Sequence, residues 1–121
     1  MTRNIFTVPL TVVVSTNKIY SGMNHIHRTQ LKNDYHWMIK RVRKHIQKPQ
    51  LFPVKIMYHF FFNGRVFDNS NCSFMQKMLE DALVKEGFLP DDSYHYVWFS
   101  GVTNQKGPQD QVTIEIIEGG E

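Results

Sequence analysis

The run from Val54 to Phe62 constrains the fold more than any other stretch. Val54, Ile56, Tyr58, Phe60 and Phe62 fall on one side of a period of two, and Lys55, Met57, His59 and Phe61 on the other. Successive side chains leave opposite faces of a pleated backbone, so this pattern is a β-strand with one firmly buried face. Asn63-Gly64 follows, a pair that favours a tight hairpin turn; it predicts that Arg65 to Phe67 return beside the strand and leave Asp68 at its end.

The remaining elements arrange themselves around this strand. Ile5 to Val14 is rich in β-branched residues and predicts a strand. It contains Pro9 and leads into Lys18, and it falls well short of the roughly 20 apolar residues that span a bilayer, so neither export nor membrane insertion is expected of it. Ser15 to Arg28 is polar and reads as a loop. From Gln30 to Gln47, Tyr35, Met38, Ile39, Val42 and Ile46 recur at helical spacing until Pro49 stops the pattern. Phe74, Met75, Met78, Leu79, Ala82 and Leu83 form the apolar stripe of a second helix that Gly87 ends. Ser73 and Gln76 have capping-box spacing, and Ser70 and Asn71 are alternative caps. Tyr94 to Phe99 and Val112 to Ile117 predict two last strands, joined by a loop from Gly101 to Asp110. The expectation is an α/β (α+β) fold in the order β-α-β-(β)-α-β-β, a small mixed sheet with two helices.

A length of 121 residues, 41% of them hydrophobic, gives one domain over residues 1–121 with a real core. The lone Cys72 has no intramolecular disulfide partner, which fits a reducing cytoplasm and excludes an exported disulfide scaffold. Charge is distributed unevenly. Residues 1–65 carry 11 Lys and Arg against Asp34 alone, a net +10; residues 66–121 carry 3 Lys and Arg against 10 Asp and Glu, a net −7, and the two sum to the chain's +3. Such asymmetry fits a protein that grips a polyanion on a basic surface and holds metal ions in an acidic cluster, although a solvated basic helix beside an unrelated acidic end produces it equally.

Two groups of residues give that polarity a chemistry. Asp68 precedes the second helix, and Asp91 with Asp92 follows it. A helix of some 14 residues is about 20 Å long, so these carboxylates meet only if the chain folds back. Hard oxygen donors without paired Cys or His would select Mg²⁺ or Mn²⁺ over zinc. In the basic half, Lys40, Arg41, Arg43, Lys44 and Lys48, with Lys18 and Arg28 before them, make a phosphate-gripping surface short of acidic partners. His25-x-His27 lacks a second pair at zinc spacing. Trp37 and Phe61 point away from the main apolar faces, which suits an interface or ordinary packing better than a wedge between bases.

The segment Lys77-x-x-x-Asp81-Ala82-Leu83-x-Lys85-x-Gly87-Phe88-x-x-Asp91-Asp92 closely resembles the signature of the RusA family of phage and bacterial Holliday junction resolvases. Ser15-x-Asn17-x-x-Tyr20 looks like that family's N-terminal loop, and the basic helix, the strand and the Asp68 segment follow in the family's order. The resemblance implies a homodimeric, Mg²⁺-dependent endodeoxyribonuclease (Mn²⁺ as an alternative) that binds four-way DNA junctions and resolves them by paired symmetric nicks in recombination and repair. It implies catalytic roles for Asp68, Asp92 and Lys77, and metal ligation by Asp68 and Asp92 with help from Asp91. Asn71 matches the Asn of the family's Asp-x-Asp-Asn motif. The departure is Ser70, which stands where that motif has its second Asp; a neutral hydroxyl is a weaker ligand, so a catalytically weakened junction-binding protein and a general metal-dependent DNA nuclease stand as alternatives. Asp81, one turn beyond Lys77, has the spacing to orient that lysine through an i, i+4 ion pair.

Overall fold

The structure is a computed structural model and describes residues 3 to 119. At its centre lies the alternating strand, β2 (Val54–Phe62), paired antiparallel to β4 (Gln111–Ile117) on one side and parallel to β3 (Val97–Lys106) on the other. β1 (Arg3–Pro9) adds antiparallel to β4, completing a four-stranded mixed sheet in the order β1-β4-β2-β3. Every second residue of β2 is buried, with Val54, Ile56, Tyr58 and Phe60 wholly inaccessible. Phe6 and Val8 of β1 and Val112, Ile114 and Ile116 of β4 extend the same apolar core.

Helices close that core: the short α1 (Thr16–Tyr20), α2 (His25–Val42) and α3 (Ser73–Lys85). α2 contributes Tyr35, Met38 and Ile39; α3 contributes Met75, Met78, Leu79, Ala82 and Leu83. Burying a large apolar side chain stabilises the fold by about 1.5–3 kcal/mol, so the α3 stripe alone anchors that helix firmly to the sheet. On the opposite sheet face His59 is satisfied by Thr103 Oγ1 (2.7 Å) and Glu115 (3.3 Å), as an interface or core histidine would be. Phe61 also lies half-buried on that face, where its Cβ is 2.8 Å from the place a side chain on Gly107 would take, so that close approach requires glycine.

Several element boundaries differ from the sequence expectation. β1 ends at Pro9, because proline has no N–H to continue the ladder and β4 begins opposite it at Gln111. The polar stretch after it is largely helical: Ser15 Oγ caps α1 by accepting from Lys18 N–H, and Asn24 Oδ1 caps α2 by accepting from His27 N–H. α2 thus starts at His25 and gives way after Val42 to a 3₁₀ turn, Arg43–His45. The Asn63-Gly64 hairpin does not form. Gly64 lacks the positive φ such a turn requires, and β3 and β4 already occupy both edges of β2, so Arg65 to Phe67 has no place to pair. The capping box is absent too: Ser73 is the first helical residue of α3, and Thr16 Oγ1 accepts from Phe74 N–H instead (2.9 Å). β3 runs on through Gly101 and Asn104 to Lys106, pairing overriding weak strand propensity.

Candidate functional site

Gly87, at φ +83°, ends α3, and the buried Phe88 and Leu89 pin the chain that follows against the core. Asp92 is thereby carried back beside the helix, where it lines a pocket of about 160 Å³ with Ser73, Gln76, Lys77, Glu80, Asp81 and Ser100 of β3. Lys77 Nζ stands 3.9 Å from Asp81 Oδ2, the i, i+4 pair expected, though two-thirds of the lysine side chain is exposed and the pair is loose.

Glu80 forms the floor of this pocket. Its Oε1 accepts from the buried Tyr58 hydroxyl (2.9 Å) and from Ser100 Oγ (2.9 Å), and Ser100 Oγ in turn accepts from Gln76 Nε2 (2.7 Å). Burial pushes the Glu80 carboxyl above the usual carboxylate range; the two hydrogen bonds oppose that rise, and the charges of Asp92 and Asp81 add to it. Three carboxylates therefore share one recess in which at least one is held reluctant to ionise, the electrostatic condition a divalent cation relieves.

Asp68 lies elsewhere. It caps a 3₁₀ turn, Asn69–Cys72, with its carbonyl accepting from Asn71 N–H, and lines a separate pocket of about 180 Å³ with Ser15, Asn17, Arg65 and Asn71. Asn17 N–H donates to Asn71 Oδ1 (3.0 Å), so the two motif segments Ser15-x-Asn17 and Asp68 to Asn71 do meet, but neither lines the Asp92 pocket. Ser70 is exposed on the turn, and its carbonyl accepts from Ser73 Oγ. Asp91, also exposed, accepts from Asp92 N–H (2.7 Å) and so orients its neighbour.

Among the described residues no three His, Cys, Asp or Glu side chains are gathered into a ready metal cage. The donors around Asp92 are nonetheless carboxylate, hydroxyl and amide oxygens, which suit Mg²⁺ or Mn²⁺, and Mg²⁺ is commonly held by one or two carboxylates with water and substrate phosphate completing its shell. By donor chemistry Asp92 and Asp81 suit the one or two carboxylate positions of such an ion, with Glu80 beside them; Asp68 lines a different pocket.

The expected phosphate-gripping residues are spread over α1 (Lys18), α2 (Arg28, Lys40, Arg41), the turn after it (Arg43, Lys44) and the chain beyond (Lys48). Lys40 lies over the exposed Trp37 ring (5.2 Å to the centroid) and Arg41 lines a recess with Trp37 and Asp34. Lys18 borders a groove with His27, while Lys44 and Lys48 are exposed. Arg43 is engaged by Glu86 (3.1 Å), which also takes His36 Nε2 (2.5 Å), and Arg28 donates to the Ile19 carbonyl.

Sequence reasoning missed Glu80, Gln76 and Ser100. One signal was available: a tyrosine on the buried face of β2 must find a partner for its hydroxyl, and Glu80 is on the helix that packs there. No helix among the described residues is long and apolar enough to cross a membrane. No protein-family model matches the chain, and no curated protein matches it.

Proposed function

We propose that this chain is a Mg²⁺-dependent endonuclease of the RusA type, acting as a homodimer on four-way DNA junctions and nicking them in pairs. The observation that carries this reading is the convergence of Lys77, Asp81 and Asp92, all within the segment that resembles the family signature, on one pocket floored by Glu80. Bound Mg²⁺ supplies an activated water and stabilises the leaving oxygen of a phosphodiester. Asp92 and Asp81 would hold the ion; Glu80, fixed by Tyr58 and Ser100, keeps a preoriented carboxylate behind them. Lys77 faces the scissile phosphate and neutralises charge that builds there. Arg41 and Lys44, with Lys18 and Lys40, hold the arms through the backbone, so recognition follows branch shape more than base sequence.

A specific observation favours a second reading, a junction-binding protein with weakened cleavage: Asp68 lines a pocket apart from Asp92, and Ser70 brings no carboxylate. A labelled synthetic four-way junction and a linear duplex of the same arms, incubated with the full chain and Mg²⁺, separate the two. Paired symmetric nicks confined to the junction support the resolvase, tight binding without nicks supports the weakened form, and equal cutting of the duplex would refute junction selectivity.

A further inference from the structure

Beyond the Asp92 pocket lies a second recess of about 400 Å³ that shares Asp81 and Asp92 with it and is otherwise lined by Lys32 of α2 and by Val84 and Lys85 of α3. Both lysines are exposed, and among the described residues neither has a carboxylate within ion-pair distance. Two cations left unpaired beside two carboxylates, in a recess continuous with the candidate site, form a surface that an anion would complete. The sequence assigned neither a role, because Lys32 stands apart from the cluster at the end of α2 and Lys85, although within the signature segment, looks like an ordinary last-turn cation.

The spacing identifies the anion. Lys77, Asp81 and Lys85 form an i, i+4, i+8 row along α3, and eight residues of helix cover about 12 Å. One strand of duplex DNA presents a phosphate about every 3.4 Å along its axis, so a strand laid along this row offers successive phosphates to Lys77 and Lys85, which a single free phosphate does not. Lys32 reaches the same recess from the neighbouring helix, and Arg28, Lys32, His36 and Lys40 follow at i, i+4 spacing along α2, where His36 marks the α2–α3 seam by its contact with Glu86.

We propose that Lys32 and Lys85 form a second phosphate seat, which binds the backbone of the strand to be cut a few nucleotides from Lys77 and so lays that strand across Asp81 and Asp92. The seat deepens the nuclease reading and rests on it for its purpose, but its binding role is separable from cleavage.

The test uses full-length chain carrying Asp92→Asn, so that binding is read without cutting. The affinity for a four-way junction is measured from 50 to 300 mM salt with Lys32→Ala, Lys85→Ala, both together, and the charge-keeping Lys32→Arg with Lys85→Arg. Each lost phosphate contact lowers the slope of log K against log salt by about 0.9, so the double alanine variant is expected to be shallower by nearly 2, with the arginine pair restoring the slope. Lys106→Ala, whose lysine reaches only the Gly64 carbonyl, is the control and should leave the slope unchanged. An unchanged slope in the double alanine variant overturns the seat. If in addition Mg²⁺ binding to the otherwise wild-type double variant tightens, the two lysines serve only to balance Asp81 and Asp92, which also overturns it. Failure of the wild-type chain to cut the junction would count against the nuclease reading alone, since the slope is measured independently.

Discussion

Glu80 and Glu86 are six residues apart on and just after the same helix, yet their surroundings drive them in opposite directions. Glu86, with 8% of its side chain exposed, receives His36 at 2.5 Å and Arg43 at 3.1 Å, and the hydrogen bond from His36, more than its burial, determines that its carboxyl lies below the usual range. Glu80 has only neutral donors, Tyr58 and Ser100, and faces Asp92 and Asp81; burial raises it. The first carboxylate is satisfied and clamps α2 to α3. The second is kept short of positive charge inside a recess, a condition that costs stability and that a cation bound there, as the proposed function requires, would relieve.

The difference can be broken or sharpened by substitution. The largest effect is expected of Asp92→Asn at the Glu80 end: junction cutting should fall by about a thousandfold, equivalent to roughly 4 kcal/mol, with junction binding kept within about twofold in a gel-shift assay. Glu80→Gln comes next, with cleavage lowered about tenfold while the melting temperature holds or rises, because glutamine still accepts from Tyr58 and Ser100 and removes a confined charge. Glu86→Ala should do the reverse, lowering stability by about 1–2 kcal/mol and the Tm by about 5 °C, with cutting at 25 °C little changed. Equal destabilisation by Glu80→Gln and Glu86→Ala would erase the distinction.

The pH profiles follow with opposite signs. Glu86, depressed in the folded chain, contributes stability that is present above its unfolded pKa of about 4.3 and is lost as pH falls through its lower folded value. Glu80, raised, favours the folded chain below about pH 4.3 and loses that contribution as pH climbs through its higher folded value. Melting curves from pH 3 to 8 should therefore show Glu80→Gln gaining most relative to wild type toward neutrality, and Glu86→Gln losing its deficit toward acid. The smallest effect is expected of Ser70→Asp. Since Ser70 lies on the turn beside the Asp68 pocket, cutting at low Mg²⁺ should change by less than about twofold; a large gain would relocate the metal site to that turn.

What the sequence disclosed and what it hid divide along physical lines. Period-two burial in β2 and the apolar stripe of α3 were legible because each is set by local geometry against a core. The Lys77–Asp81 pair was legible for the same reason, as a spacing within one helix. Asn63-Gly64 misled, because turn propensity is local while the occupancy of both edges of β2 is decided by strands that arrive some 35 and 50 residues later in the chain. α1 and the first turn of α2 escaped notice because Ser15 and Asn24 initiate helices whose early residues lack apolar periodicity. Asp68 and Asp92 looked alike as acidic residues flanking one helix, and only the course of the chain after Gly87 brings one of them, and not the other, beside Glu80.

Mn²⁺ titrated into the full chain and followed by electron paramagnetic resonance tests most directly whether the carboxylates beside Asp92 hold the divalent ion. Asp92→Asn is expected to weaken Mn²⁺ binding at least tenfold and Asp68→Asn to leave it unchanged. Loss of binding in Asp68→Asn with binding retained in Asp92→Asn would contradict the assignment.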